Sequence, residues 1–261
     1  MFRAQDRIEI KSVDQIQAMR AAGLVVARTL QRVAEITKAG ITTAEMDDRA
    51  AQSILDEGAI PSFLGYHGFP AHICVSVNEE VVHGIPGPRR LVDGDVVSID
   101  CGAIVDGWHG DAAITVLVGD VAPELAELSR VTEESLWAGL AAARPGNRLS
   151  DIGHAVESCI RRQGSQYGIV EEYVGHGIGT RMHMEPPVPN YGRPGRGPRL
   201  VPGMALAVEP MVVLGDAGVH TLDDDWTVVA SDGSHASHWE HTVAVTEEGP
   251  WVLTALDDVR L

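Results

Sequence analysis

The chain contains an internal repeat, in which its two halves resemble each other at a separation of roughly a hundred residues. Each half has a long helical pattern, a shorter one that ends at a glycine, and an apolar segment that ends in an acid. The long patterns span residues 14–39 and 124–143, the short ones 40–58 and 146–164, and the apolar segments 91–100 and 200–209. This repeat predicts an α/β (α+β) fold in which two pseudo-symmetric αβ halves share one curved, mainly antiparallel sheet with helices on its outer face.

Local signals support the helices and strands of the repeat. Thr42 and Glu45 form a capping-box sequence, and Gly58 and Gly164 suit a left-handed conformation at a helix end. The apolar segments are typical of strands buried in a sheet. No Ser- or Pro-rich linker separates the halves, so we expect one domain over residues 1–261, with halves at roughly 14–120 and 121–250.

Composition limits the function classes. The 261 residues carry a net charge of −17, and so acidic a surface repels nucleic-acid backbones and anionic lipids. The first residues lack the apolar core of a signal peptide, and no apolar run approaches the roughly 20 residues that a membrane helix needs. We therefore expect a cytoplasmic protein with no direct nucleic-acid or membrane partner. The three cysteines are widely spaced, which predicts reduced, packed thiols.

Five residues of metal-ligand type stand in strongly patterned segments: Asp100, Asp111, His176, Glu209 and Glu240. Each half supplies two of the four carboxylates. One imidazole with four carboxylates can hold two divalent cations, which is an arrangement for metal-assisted hydrolysis. Because Asp100 and Glu209 end apolar runs, an unpartnered carboxylate there would be costly, and each should face a cation or, alternatively, a buried arginine.

Three histidines lie beside glycines or at predicted strand ends. His176 is flanked by glycines, which allow the backbone to approach a ligand or metal closely, and His83 and His183 occur in similar surroundings. A neutral ring can bind a metal through one nitrogen, whereas an unliganded ring can hydrogen-bond a substrate. An isolated histidine near glycines is more often a turn residue, so the three are interpreted together.

In combination these segments resemble the methionine aminopeptidases of the bacterial type (type I), within the pita-bread metallopeptidases. Seven segments carry the resemblance in order over nearly the whole chain, namely residues 65–70, 76–86, 98–100, 107–111, 175–186, 208–211 and 240–242. The resemblance implies a pita-bread fold and metal-dependent removal of the initiator methionine from new polypeptides, with a preference for a small second residue. It implies Asp100, Asp111, His176, Glu209 and Glu240 as metal ligands.

The same resemblance implies roles for further residues. His83 and His183 would be unliganded catalytic rings that contact the scissile peptide, and Glu209 would also move a proton. The side-chain pocket for methionine would be lined by apolar and aromatic residues, namely Phe63, Tyr66, Phe69, Cys74, Met182 and Trp226. Phe63 stands where relatives often have cysteine and Met182 where they often have phenylalanine, which leaves the pocket apolar but alters its shape.

Cofactors and partners follow from the resemblance as well. It implies two divalent cations, drawn from cobalt, manganese, iron and zinc, and allows one monovalent cation, sodium or potassium, on backbone carbonyls near Asn78. The partners would be N-termini of nascent polypeptides close to the ribosome, and the protein is expected to be a monomer. With Met1 followed by Phe2, the protein would retain its own initiator methionine.

Two other interpretations remain open. One is a peptidase of the same fold that cleaves before proline or acts on dipeptides. Such relatives usually carry an additional N-terminal domain, for which a repeat starting near residue 14 leaves no room. The other is a pita-bread binding protein without catalysis, which could lose ligands that this chain retains.

Overall fold

The structure, a computed structural model, describes residues 8–261, so the expectation for Met1 and Phe2 lies outside the described residues. Its four α-helices are α1 (Val13–Ala34), α2 (Thr43–Asp56), α3 (Pro123–Ala142) and α4 (Leu149–Gln163). They match the four helical patterns of the repeat. The predicted capping box of α2 is present, because the Thr42 hydroxyl accepts the Glu45 N–H and the Glu45 carboxylate accepts the Thr42 N–H.

Two helix ends differ from the prediction. Helix α1 stops at Ala34 rather than at residue 39, and the Thr37 hydroxyl donates to the Val33 carbonyl 2.8 Å away. The Val33 carbonyl also accepts the Ile36 and Thr37 backbone N–H groups at 3.1 Å, so α1 ends in a tighter turn with bonds to the third preceding residue. Gly58 has the left-handed φ of 71° that was expected, whereas Gly164 combines a φ of 147° with an extended ψ of 170°.

The strands form one large antiparallel sheet and two small ones. The large sheet has nine strands: β1 (Ile60–Pro61), β2 (Ile73–Val77), β4 (Val96–Val105), β5 (Trp108–Leu117), β7 (Gly175–Gly177), β8 (Met184–Val188), β9 (Ala205–Val208), β14 (Glu240–Thr246) and β15 (Gly249–Val252). The small sheets contain β3 (Glu80–Val82), β6 (Gly168–Ile169), β10 (Met211–Val213), β11 (Val219–Thr221), β12 (Val228–Ala230) and β13 (Ala236–His238).

Both halves of the repeat contribute to the large sheet, whose order is β1-β4-β5-β14-β9-β7-β8, with β2 on β4 and β15 on β14. The halves meet where β5 pairs with β14, with Ala113 opposite Glu240. Helix α1 packs on β4 and β5, and α3 packs on α4 over the strands of the second half. The sheet therefore joins the halves by main-chain hydrogen bonds and keeps its helices outside.

Two glycines allow α1 to approach β5 and the residue after β15 closely. A Cβ atom on Gly110 would lie 2.7 Å from the backbone nitrogen of Gly23, and one on Gly23 would lie 2.1 Å from the Leu253 carbonyl oxygen. Only residues without a side chain fit at these contacts. The helix is thereby seated directly on the strand residue that precedes Asp111.

One strand is longer than its sequence pattern indicated. Strand β4 continues through Asp100 to Val105, so Asp100 lies inside the strand rather than at its end. The extension pairs with β5 as a hairpin whose turn residues Asp106 and Gly107 have φ values of 50° and 81°. An Asp-Gly pair with positive φ at both positions is the preferred two-residue hairpin turn.

Two compositional expectations can be compared with the described residues. Cys74, Cys101 and Cys159 are all free and buried, as predicted. Over residues 8–261, none of the helices combines the length and the apolar character that a membrane crossing requires.

Candidate metal centre and active site

The five candidate metal ligands lie on five adjacent strands of the large sheet. Asp100 is on β4, Asp111 on β5, Glu240 on β14 and His176 on β7, while Glu209 directly follows β9. The strands are neighbours in the order β4-β5-β14-β9-β7. Their register places Asp100 and Glu240 on either side of the same residue, Ala113. Residues far apart in sequence are thus brought together at the junction of the two halves.

The four carboxylates converge, and each has one oxygen atom without a hydrogen-bond partner. Asp111 and Glu240 are 4% and 2% exposed, and Asp100 and Glu209 are half-buried at the wall of a cavity. One inaccessible oxygen of each residue, Oδ1 of the aspartates and Oε1 of the glutamates, has no hydrogen-bond partner. Asp111, His176 and Glu240 each place a donor atom within 4.8 Å of the others. A buried unpaired carboxylate is costly, so this set fits divalent cations.

A buried arginine was the alternative partner for Asp100 and Glu209, and none pairs with either residue within residues 8–261. In residues 8–261 neither carboxylate forms an ion pair with a lysine or arginine, and the nearest basic group to Glu209 is the His176 ring, with Nε2 3.5 Å from Oε1. The Asp111 carboxylate is likewise 3.8 Å from the same nitrogen.

His176 is oriented as a neutral ring. Its Nδ1 lies 3.0 Å from the carbonyl of Gly177, so Nδ1–H donates there and leaves the lone pair of Nε2 directed at Asp111 and Glu209. Burial, with a smaller contribution from His183, lowers the pKa of His176 to about 3. A neutral imidazole whose other nitrogen is fixed by a carbonyl is a typical metal ligand.

Crowding of carboxylates raises their pKa values. Burial raises the pKa of Asp100 to about 7. The pKa values of Asp111, Glu209 and Glu240 lie well above their usual range, first because the groups are buried and then because other carboxylates of the set are close. Without cations, the ionised set is therefore disfavoured in the folded protein.

These pKa shifts predict how the stability of the metal-free protein depends on pH. A carboxyl whose pKa is raised on folding stabilises the fold at low pH, and this stability is lost as pH rises through the folded-state value. Between about pH 7.5 and 8.5, histidines with lowered pKa values are almost entirely neutral in both states, and the buried thiols of Cys74 and Cys101, whose pKa values are raised, act in the same direction as the carboxyls. One proton retained by the folded state reduces the free energy of unfolding by about 1.4 kcal/mol per pH unit.

We therefore expect the unfolding temperature of the chelated protein to fall by roughly 4 °C over that range for each retained proton. Calorimetry in the presence of EDTA measures this decline. Saturation with Co²⁺ should remove it, because cation binding favours the ionised carboxylates. A chelated protein whose unfolding temperature stays constant or rises with pH would contradict the prediction.

All six predicted pocket residues line the cavity that contains the carboxylates. The cavity has a volume of about 400 Å³. Phe63, Phe69, Cys74 and Met182 are buried in one apolar cluster, with Tyr66 and Trp226 packed against it. The rings of Phe69 and Trp226 meet edge to face with centroids 5.0 Å apart. An apolar, aromatic and sulfur-containing wall is suited to a thioether side chain.

His83 and His183 line the same cavity. Nδ1 of His183 is 2.8 Å from the Tyr66 hydroxyl, and its ring meets that of His176 edge to face at 4.3 Å. His83 has a φ of 61°, an uncommon conformation for a residue with a side chain. Burial lowers the pKa of His83 to about 4 and also lowers the pKa of His183. Both rings are therefore neutral near pH 7.

Other residues at the site were not singled out from the sequence. His67 lines the cavity with a φ of 48°, and the Tyr173 ring lies 5.5 Å from that of His83. Asn190, fully buried, donates to the Glu209 carbonyl at 3.0 Å. His238 lies beside Glu209 and Glu240. A signal for His238 is present in the sequence, because it precedes Glu240 by two positions, as His109 precedes Asp111.

Comparison with known proteins agrees with this geometry. Residues 17–247 match the family described as metallopeptidase family M24. The chain belongs to this family. It is 53% identical to methionine aminopeptidase 1 of Mycobacterium tuberculosis over 97% of each chain. It also resembles the crystal structure of methionine aminopeptidase from Thermotoga maritima, with a TM-score of 0.93, 40% identity and coverage of 95% of this chain and 99% of that one.

A more distant likeness concerns the fold alone. The prolidase from Pyrococcus furiosus gives a TM-score of 0.78 at 22% identity, covering 97% of this chain but 67% of the prolidase. The structural relatives confirm the predicted pita-bread fold, and the family match together with the near full-length similarity confirms the predicted resemblance to bacterial methionine aminopeptidases. The family is one of metal-dependent peptidases, and the cluster of carboxylates and imidazole is compatible with metal binding.

Proposed function

We propose that this chain removes the N-terminal methionine from proteins and peptides by metal-dependent hydrolysis, with a preference for a small second residue. The observation that carries the proposal is the convergence of five ligand-type side chains from adjacent strands at one end of an apolar cavity. In this proposal residues 1–261 act as a single catalytic domain, since strands from both halves build the sheet that presents the ligands.

Asp100, Asp111, His176, Glu209 and Glu240 would hold two divalent cations. Their unbonded, inaccessible carboxylate oxygens and the free Nε2 of His176 support this assignment. Divalent cations in such a site supply Lewis acidity and lower the pKa of water enough to provide a nucleophile at neutral pH. The oxygen and imidazole donors suit cobalt, manganese, iron and zinc.

The protein's own side chains position the substrate and move protons. Glu209 adjoins both His176 and the cavity, so its carboxylate accepts a proton from the attacking water and passes it to the leaving amine. His183 faces the cavity with Nδ1 held by the Tyr66 hydroxyl, so an Nε2–H can stabilise the oxyanion that develops on the scissile carbonyl. His83, on the same cavity wall, orients the scissile peptide nitrogen.

A monovalent cation near Asn78 and the cellular setting of the substrates also belong to the proposed function. Asn78, with a φ of 61°, has a carbonyl that accepts the Ala236 N–H at 2.8 Å, and a sodium or potassium ion on carbonyls near it stays a prediction. The substrates would be N-termini of nascent polypeptides near the ribosome in the cytoplasm. The protein would act as a monomer without binding nucleic acid, for which its charge of −17 is the supporting observation.

Release of methionine from Met-Ala-Ser, compared with hydrolysis of Xaa-Pro peptides, tests the proposed function. We expect the metal-loaded protein to release methionine, EDTA to abolish the activity, and Co²⁺ or Mn²⁺ to restore it. Xaa-Pro peptides should be left intact. Cleavage of Xaa-Pro peptides in preference to Met-Ala-Ser would favour the prolidase-like alternative, and metal binding without hydrolysis of either peptide would favour a binding protein.

The pocket assignment predicts the effect of filling the cavity at Cys74. Cys74 pairs with Asp100 across β2 and β4 and lines the cavity, so Cys74→Leu would place extra methyl groups where the methionine side chain binds. We expect kcat/KM for Met-Ala-Ser to fall about 10- to 100-fold, since misfit by one or two methylene groups costs roughly 1–3 kcal/mol.

Cys159→Leu provides the matched control for this substitution, because Cys159 is also buried but lies on α4, outside the cavity. Steady-state kinetics on both variants, corrected for the folded fraction by circular dichroism, separates the pocket effect from general overpacking. Equal losses in the two variants would remove Cys74 from the pocket.

A further inference from the structure

His238 is a buried imidazole next to the metal centre that is not among the five predicted ligands. The residue is 2% exposed, and its Nε2 is inaccessible to solvent and has no hydrogen-bond partner. This nitrogen lies 4.0 Å from Oε2 of Glu240. Donor atoms of Glu209, His238 and Glu240 all lie within 4.8 Å of one another.

The main chain of His238 is held firmly at this place. His238 ends β13 and pairs with Met211 of β10. Its backbone nitrogen lies 3.1 Å from the hydroxyl of Ser98 and 3.2 Å from that of Thr115, and its carbonyl accepts from the Thr115 hydroxyl at 2.8 Å. The backbone is thus tied to β4 and β5, the strands that carry Asp100 and Asp111, which fixes the point from which the ring extends beside these carboxylates.

Like one oxygen of each nearby carboxylate, the Nε2 atom of His238 is buried and has no hydrogen-bond partner. Leaving a buried polar atom without a partner costs about 1–3 kcal/mol. Glu209 and Glu240 each have such an oxygen, and His238 has such a nitrogen in the same group. Two atoms that are each about 2.1 Å from one cation lie roughly 3–4 Å apart. The separation of 4.0 Å between His238 Nε2 and Glu240 Oε2 is compatible with that arrangement and too long for a hydrogen bond.

We propose that His238 is a sixth ligand of the metal centre, which contributes Nε2 to a cation held by Glu209 and Glu240. The inference rests on the proposed function, because it concerns the same cations. A second imidazole makes the donor set less purely oxygen-based, which favours cobalt, iron and zinc over manganese. His238 would therefore bias the metal selectivity of the centre.

The competing explanation is that His238 Nε2 carries a proton and donates to the Glu209 or Glu240 carboxylate without touching a cation. Glutamine distinguishes the two explanations, since its amide can donate a hydrogen bond from a similar position but is a poor ligand for these cations. Alanine removes both capacities. His241→Gln is the positional control, because His241 follows Glu240 and its Nδ1 is 2.8 Å from the Thr254 hydroxyl instead.

The first measurement needs no variant. In NMR spectra of the protein saturated with Co²⁺, exchangeable imidazole N–H signals shifted far outside the diamagnetic range arise from rings bonded to cobalt. We expect two such signals, from His176 and His238, and one signal would overturn the proposal. His238→Gln should lose one of the two and His241→Gln neither, and a His238→Gln protein that keeps both would also overturn it.

The second measurement is the affinity for Co²⁺ and for Mn²⁺ by chelator competition. His238→Gln and His238→Ala should both weaken Co²⁺ binding by roughly 10²-fold, at the upper end of what loss of an outer-shell partner causes, and should weaken Mn²⁺ binding less. Wild-type affinity in His238→Gln alone would identify a hydrogen-bonding role and refute ligation. If a variant fails to fold, the number of cobalt-shifted imidazole N–H signals in the wild-type protein decides whether His238 is a ligand. A wild-type protein that binds no Co²⁺, or binds it without releasing methionine, would instead refute the proposed function.

Discussion

Replacement of Asp111 by asparagine is expected to lower turnover of Met-Ala-Ser by about 10³-fold or more, because Lewis-acid stabilisation worth several kcal/mol depends on the ligand set. The amide keeps the size of the side chain but removes the charge of a residue that shares its donor-atom cluster with His176 and Glu240. Kinetics with excess metal, together with metal analysis of the purified variant, measure the loss. Turnover near the wild-type value would remove Asp111 from the site.

The same variant should have the opposite effect on the stability of the metal-free protein. Burial and the neighbouring Asp100 and Glu209 raise the pKa of Asp111, so near pH 7 the metal-free fold must either bury its charge or take up a proton, and a neutral amide relieves that cost. We expect the chelated Asp111→Asn protein to unfold at an equal or higher temperature than the chelated wild type. A lower unfolding temperature would mean that Asp111 has a stabilising partner in the metal-free fold.

Asp47 provides a control for which the expected effects on stability and on turnover are reversed. Its carboxylate accepts hydrogen bonds from the backbone nitrogens of His72 and Ile73 at 2.8 and 3.0 Å, and its second oxygen is 2.8 Å from the His72 ring. It lies outside the cavity. Asp47→Asn should reduce the unfolding temperature and leave turnover per folded molecule near the wild-type value. Comparison of the Asp111→Asn and Asp47→Asn variants thus distinguishes a metal ligand from an aspartate that stabilises the fold.

Removal of the His183 ring is expected to reduce kcat by roughly 10²–10³ while the bound metal stays unchanged, which is the effect of losing one oxyanion donor. His183 lies at the cavity wall and contacts His176 edge to face. Burial lowers its pKa, so the ring is neutral and donates from Nε2 only in the tautomer whose Nδ1 is unprotonated, which a hydrogen bond donated to Nδ1 stabilises. The Tyr66 hydroxyl, 2.8 Å away, is the donor available for this.

Tyr66→Phe therefore tests the same role through the ring's orientation. We expect kcat of this variant to lie between those of the wild type and His183→Ala, with KM for Met-Ala-Ser changed less than kcat. Metal content measured alongside the kinetics checks that His176 is undisturbed. Loss of metal from His183→Ala, or an unchanged kcat, would exclude an oxyanion role for His183.

Local parts of the fold were predictable because their determinants are local. The capping box at Thr42 and Glu45 starts α2 where the sequence indicates. The end of α1 was placed five residues too late, since the residues after Ala34 form a turn in which the Ile36 and Thr37 N–H groups bond the carbonyls three residues earlier. The extent of β4 was underestimated because the Asp106-Gly107 hairpin signal was not used.

The candidate site was predictable in its residue types and less so in its contacts. The structure brings all the sequence-predicted site residues to one cavity, while their roles as ligands and catalytic groups stay predictions for the experiments above. His238 has one signal in the sequence, since it precedes Glu240 by two positions as His109 precedes Asp111. In the structure the two differ, because His109 Nδ1 is 3.1 Å from the Ser62 hydroxyl whereas His238 Nε2 has no partner.

The sequence by itself determined the repeat, the helices and strands, the family and the chemical class of the site, because periodicity, caps and residue types are written along the chain. The tertiary structure decided which buried atoms remain without partners and which side chains face one another. That outcome depends on the pairing of β5 with β14, β14 with β9 and β9 with β7, strands from distant segments whose register brings Asp111, Glu240, Glu209 and His176 together. Register between distant strands follows from packing of the whole sheet, which no local pattern encodes.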